Sequence, residues 1–310
     1  MTKAAQRFLT AFLMAALAAA SCYGAKVRRA AAGGREAPPP SVAAKRAAFN
    51  RPAAARFGEA LAGALGRRGL KPSALCAAEG PLGRRILEEY GAVFLAADEV
   101  LTPRVCVFKS AEEVASFQRE ARAAAGDFGG VTVELQPAAM RALLAAREEA
   151  TAAGLSISPR DGAEAGRRDY AATLRLWNSR LLPALEHWRR LGHLTPADAD
   201  RLAALPVREQ VGAVLDYERR GIFFSRDFSK SILYSAAAPG TSQHLSLLAF
   251  DVVEHDDPDV RRILARHGWF RTVRGDAPHF TYLGLVEDDL PSRGLKKVRT
   301  AAGEFWVPNV

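Results

Sequence analysis

A chain of 310 residues with 49% hydrophobic side chains is long enough for one large core or two small ones. Its formal charge of +9 is confined to the start: residues 1–56 hold ten Lys and Arg against Glu36 alone, so residues 57–310 are neutral. That distribution excludes a net electrostatic hold of the folded part on DNA or RNA, and no nucleic-acid partner is expected.

Lys3 and Arg7 precede the apolar run Phe8 to Ala20. This run is short for a membrane span and suits the hydrophobic segment of a secretory leader over residues 1–22. It ends in Ala19-Ala20-Ser21-Cys22. Two routes fit: lipidation of Cys22, which would attach the chain to a membrane, or ordinary cleavage after a small residue. Either way the expected address is the periplasm or cell envelope. Residues 23–56, with Pro38-Pro39-Pro40 and few large apolar side chains, read as a flexible basic tether. Cys76 and Cys106 remain after processing, and pairing or two free thiols are both open.

Residues 57–129 read as an accessory region. It holds helical segments, strand-like runs at Gly91–Leu95 and Val105–Phe108, and a helix opened by a Ser110/Glu113 capping box. Residues 130–310 read as the main domain. Val131–Leu135 is a short alternating strand, and Pro137 opens a helix that Gly154 stops. Leu155–Ile157 is a second strand, ending at Ser158-Pro159-Arg160. A long helix over Arg167–Arg190 carries Trp177 and Trp188, two helices open at Thr195-Pro196 and Pro206, and a loop spans Tyr234–Gly240. Leu245–Val253 contains a buried strand, and Asp257-Pro258 caps a helix that ends at Gly268. Trp269–Val273 and His279–Leu283 form a hairpin around Gly275-Asp276-Ala277-Pro278. Helices between strands that close in a local hairpin indicate an α+β fold, with a small, largely antiparallel sheet and flanking helices.

The chemistry concentrates in Ser242-Gln243-His244, Asp251 and Asp276-x-x-His279. Two imidazoles and a carboxylate are three N/O ligands, which leaves a catalytic zinc its open fourth position; a further carboxylate can accept a proton from water there. Asp276 in the hairpin turn and His279 at the first strand position place this zinc site at one end of the sheet. Of the other histidines, His187, His193, His255 and His267 read as structural, and Arg167, Arg168, Arg189 and Arg190 as solvated helix charge.

Ser-x-His-x6-Asp with a later acid-x-x-His-Phe resembles the zinc D-Ala-D-Ala carboxypeptidases of the VanY and VanX kind, a group that includes phage L-alanyl-D-glutamate endopeptidases. The resemblance covers about residues 130–290. It implies His244, Asp251 and His279 as zinc ligands, Asp276 as catalytic acid/base, and Arg160 as the arginine facing the substrate. Ser242 reads, apart from the resemblance, as hydrogen-bonding beside the metal in preference to acting as a nucleophile. It also implies peptidoglycan stem peptides as substrate. The chain has Leu247 where the family has Gly, Asp276 where most VanY-like members have Glu, and extra helices between Arg160 and His244. These departures keep two rivals in view: an endopeptidase of the same family, and a non-catalytic zinc-containing protein that binds cell wall.

Overall fold

The computed structural model describes residues 55–76 and 80–310, which fall in one compact unit spanning Ala48–Val310. The leader at 1–22, Cys22 and all but the last two residues of the 23–56 tether lie outside the described residues. Among the described residues no helix is long and apolar enough to cross a membrane.

Helix α1 (Phe57–Arg67) buries Phe57, Leu61, Ala64 and Leu65, one face at helical spacing. A short α2 (Pro72–Leu75) and α3 (Gly80–Tyr90) follow. Gly91–Leu95 is a 3₁₀ helix and not the expected strand. All five residues are buried, so the apolar run fits either element. Its backbone closes on itself, with Ala96 N–H donating to Val93 O. Val105–Phe108 is likewise no strand: Cys106 N–H donates to Leu75 O and Phe108 N–H to Gly240 O. Cys76 and Cys106 are disulfide-bonded, which ties this segment to the end of α2.

Ser110 caps α4 (Ala111–Glu120), accepting from Glu113 N–H at 3.2 Å, while the Glu113 carboxylate accepts from Lys109 N–H. The strand expected at 131–135 is β2 (Thr132–Leu135). It pairs antiparallel with β1 (Ala124–Asp127), a strand the sequence did not signal. The boundary drawn between residues 129 and 130 therefore falls inside a hairpin. Pro137 opens α5 (Pro137–Ala152) as expected. Leu155–Ile157 forms no strand. Pairing begins later, where Pro159 bridges Val252 and Arg160 N–H donates to Asp251 O.

Helix α6 (Tyr170–Arg190) is capped by Asp169, and Thr195 and Asp198 form a full capping box on α7 (Pro196–Ala204); α8 (Val207–Glu218) follows. Strand β3 is only Ala249–Asp251, because Gln243–Ser246 winds as a 3₁₀ turn and Leu247 takes a left-handed backbone with φ 61°. Helix α9 (Pro258–Arg266), β4 (Trp269–Phe270) and β5 (His279–Tyr282) complete the site region. The sheet order is β3-β5-β4, all antiparallel, and the expected hairpin is present with Trp269 opposite Tyr282. A C-terminal hairpin of β6 (Leu295–Thr300) and β7 (Gly303–Pro308) was not anticipated. The fold is α+β with small antiparallel sheets, as expected. One apolar cluster runs from Phe57 to Leu295, so residues 57–129 share the core of the rest.

Leu247 adopts the backbone region that favours glycine, yet its side chain is fully buried in a second cluster with Phe108, Val114, Phe117 and Leu245. The left-handed backbone costs about 1 kcal/mol for a non-glycine residue, and a buried leucine side chain contributes about 2–5 kcal/mol. Packing wins. Leu247→Gly is expected to lower stability by about 2–4 kcal/mol in denaturant unfolding, although glycine suits the backbone angle.

Candidate metal centre

Three short elements converge on one point. The 3₁₀ turn at 243–246 carries His244, the end of β3 carries Asp251, and the start of β5 carries His279. Antiparallel pairing sets Asp251 directly opposite His279. The left-handed Leu247 reverses the chain between His244 and Asp251, and buried Gln136 holds that reversal. Its backbone N–H donates to Leu247 O at 3.0 Å and its side-chain amide to Ser246 O at 2.8 Å. Gly240, before the turn, has φ 81°, and a Cβ there would lie 2.0 Å from Phe108 O, so only glycine fits.

His244, Asp251 and His279 are each at least 94% buried. His244 Nε2 lies 3.3 Å from Asp251 Oδ1 and 3.2 Å from His279 Nδ1, and His279 Nδ1 lies 3.1 Å from Asp251 Oδ1. Ligand atoms about 2.0–2.1 Å from a tetrahedral metal are separated by roughly 3.3 Å. The three side chains therefore stand at the spacing of metal ligands, and this group could hold a metal ion.

Hydrogen bonds behind the rings settle which nitrogen faces inward. His244 Nδ1 lies 2.8 Å from Gly166 O, a carbonyl that only accepts, so Nδ1 carries the proton and Nε2 presents a lone pair. The Gln243 amide donates to Tyr90 O at 2.9 Å, which turns its Oε1 toward His279 Nε2 at 2.8 Å. Nε2 is then the donor, and in its neutral form His279 presents the Nδ1 lone pair. In that form two imidazole lone pairs and a carboxylate oxygen face one another, a repulsive arrangement that a cation relieves. Gly166 is itself required, because a Cβ there would sit 2.6 Å from Val133 Cγ1 and 2.9 Å from Glu134 O.

Asp251 turns its other oxygen to Arg168, Nη2 to Oδ2 2.6 Å, in a largely buried ion pair. Arg168 is thus not the solvated helix charge expected from the sequence. Helix α6 begins only at Tyr170, so Arg168 sits in the loop before the cap and reaches inward. Removing its partner would let the carboxylate reorient, and loss of such an orienting contact typically weakens a metal site about 10–100-fold. Arg168→Gln is expected to show that fall when metal is titrated against a competing chelator, with secondary structure unchanged.

Burial, joined by the charge of Arg168, lowers the His244 pKa to about 4, so the ring is neutral at pH 7 as a ligand must be. Burial alone would raise Asp251, but His244 and His279 outweigh it and hold the carboxyl well below the usual range. For His244 the unfolded chain binds the proton near pH 6.5 and the native chain only near pH 4, so stability rises with pH across that window. The metal-free chain is expected to lose stability as pH falls from 6.5 toward 4. His244→Gln should flatten that slope in thermal unfolding followed by circular dichroism.

Beside the triad lies a narrow cavity of about 50 Å³, lined among others by Tyr90, Leu176, Tyr234, Ser242 and Asp276. Ser242 is half-buried there. Asp276 stands outside the ligand group, on the exposed turn between β4 and β5. Its carboxyl is nonetheless crowded by protein on the cavity side, and the lost solvation raises its pKa. Asp251 adds to that rise, while His279, Arg168 and Arg160 oppose it. Arg160 is exposed and does not line the cavity; its backbone is held by Asp251 O, and its charge is felt at Asp276.

The other four histidines lie outside the site. His187 stacks on Phe228, His193 meets Trp188 edge-on, His255 accompanies Asp256 and His267 pairs with Glu149. Trp177 is core, with Nε1 donating to Gln210. Sequence reading missed Gly166, Gln243 and Arg168. Of these only Gln243 carried a usable signal, its place beside His244. Among known proteins the chain matches no family model, no curated protein and no solved structure.

Proposed function

We propose that the chain is an exported zinc metallopeptidase that hydrolyses peptidoglycan stem peptides and removes the terminal D-alanine. The observation that carries this reading is the convergence of His244 Nε2, Asp251 Oδ1 and His279 Nδ1 at tetrahedral spacing, beside a cavity that Asp276 borders. Two neutral imidazoles and one carboxylate suit zinc better than calcium or magnesium, which take all-oxygen shells. Zinc held by these residues supplies Lewis acidity and makes water acidic enough to ionise near neutral pH.

The protein's own groups do the rest. Asp276, poised by its raised pKa, accepts a proton from the attacking water and returns it to the leaving amine. Ser242 hydrogen-bonds to the peptide within the cavity, and Arg160, exposed and outside the cavity lining, reaches the substrate's terminal carboxylate from the solvent side. The narrow cavity, walled by Leu176 of α6 and the 233–237 segment, supports trimming of a chain end over cleavage within a chain. The Cys76–Cys106 disulfide supports an oxidising, exported location.

Metal analysis followed by product mass on stem pentapeptides tests this. The expected result is one zinc per chain and release of D-alanine. Internal fragments instead would make the chain an endopeptidase, and zinc retention with no cleavage of any muropeptide would make it a binding protein.

A further inference from the structure

Behind His279 lies a pair of buried hydroxyls that neither the ligand group nor the cavity uses. Thr281 follows His279 by two residues on β5, so both side chains leave the strand on one face. Thr272 stands just past β4, on the other arm of the same hairpin, and Asp276 lies on the turn between the arms. Thr272 and Thr281 have no exposed surface, and Gln243 has only 3%. A buried hydroxyl is worth no more than a valine methyl unless its hydrogen bonds are made. Two of them behind one imidazole require an account.

Donor and acceptor identities fix each proton in this group. Tyr90 O only accepts, so the Gln243 amide nitrogen faces it at 2.9 Å and Oε1 faces the other way. Oε1 also only accepts, and Thr281 Oγ1 lies against it, so Thr281 donates its hydroxyl proton there. Thr281 Oγ1 is left with lone pairs alone, and Thr272, 2.6 Å away, donates to it. Thr272 Oγ1 stands 3.3 Å from both amide atoms of Gln243; with its own proton given to Thr281, it accepts from Nε2. A ring closes in one sense, from Gln243 N–H to Thr272, from Thr272 O–H to Thr281, and from Thr281 O–H to Gln243 Oε1. Such a cycle polarises each of its members in the same direction. Tyr90 O and Thr272 take the two amide protons, and Thr281 and His279 Nε2 fill the two lone pairs of Oε1, so Gln243 is fully satisfied. Reversing the amide would set Oε1 against Tyr90 O and break the ring.

We propose that Thr272 and Thr281 are positioning residues that lock the Gln243 amide and, through it, hold neutral His279 with its proton on Nε2 and its Nδ1 lone pair toward His244 and Asp251. The effect on metal affinity rests on the reading of those three residues as a metal-binding group; the tautomer does not. The same ring ties both arms of the hairpin to the 3₁₀ turn that carries His244. One network thus orients the His279 ring and seats the turn that bears a second donor.

In the isotope-labelled, metal-free full-length chain, two-bond proton–nitrogen correlations by NMR assign the tautomer of neutral His279. The expected result is the Nε2–H form in the unaltered chain and a mixture in Thr281→Val, which keeps the shape and removes the hydroxyl. Thr281→Val should also bind zinc about 10-fold more weakly against a competing chelator. Thr281→Ser, which restores the hydroxyl, should bind zinc as the unaltered chain does. An Nδ1–H tautomer in the unaltered chain would overturn the proposal, and that reading needs no variant, so it decides the matter even if Thr281→Val folds poorly. A folded Thr281→Val with tautomer and zinc affinity unchanged would also overturn it. So would a Thr281→Ser as weak as Thr281→Val, because packing and not the hydroxyl would then be at work. An Nε2–H tautomer in a chain that binds no zinc would uphold the lock and defeat the metal reading alone.

Discussion

Alanine at His244, Asp251 or His279 is expected to abolish metal binding, and with it any hydrolysis. Only three protein groups are placed to hold an ion, so each would be indispensable in a way that residues behind the rings are not. Loss of an orienting partner costs about 10–100-fold in affinity; loss of a ligand should cost at least about 10³-fold. The chain after dialysis should carry no metal by elemental analysis. A second readout is independent of activity. An ion that binds the native state only raises its melting temperature by mass action. Added zinc should therefore stabilise the unaltered chain and leave the three variants unmoved. Retention of one metal per chain in any of them would remove that residue from the ligand set.

Asp276→Asn is expected to keep the metal and the fold while losing about 10²–10⁴-fold in rate, the usual scale for removing a general acid/base. Asp276 lies outside the ligand group yet borders the cavity, so the substitution separates proton transfer from metal binding. The pH profile gives a sharper check. Crowding raises the Asp276 pKa, so the proton-accepting form appears only above the ordinary aspartate range. Activity should climb with pH through that raised value, and this acid limb should vanish in the variant. If the variant strips the metal, Asp276 is a ligand; an unchanged rate would assign the proton transfer to another group.

By itself the sequence determined the donor set and the fold class. Ser242-Gln243-His244 and Asp276-x-x-His279 are local patterns, and a strand between two turns is enough to bring Asp251 toward them. Local chemistry also marked the helix starts at Ser110, Thr195 and Asp257, because an N-cap is satisfied within a few residues. Short apolar runs were less legible. Gly91–Leu95 is fully buried, and burial on all sides erases the period that distinguishes a strand from a helical turn.

What only the tertiary structure decided lies in contacts between distant segments. Arg168 is 83 residues from Asp251, and Gly166 is 78 from the ring that its carbonyl orients. A backbone carbonyl has no side-chain signature, and an arginine beside a helix reads as surface charge until its cap is located one residue later, at Asp169. The C-terminal hairpin packs back beside β4, where Trp306 N–H donates to Arg271 O. The group that could hold a metal could be read from the chain because its chemistry is carried by side chains at short spacing. The groups that orient those side chains could not, because their roles arise only when the backbone is folded against itself.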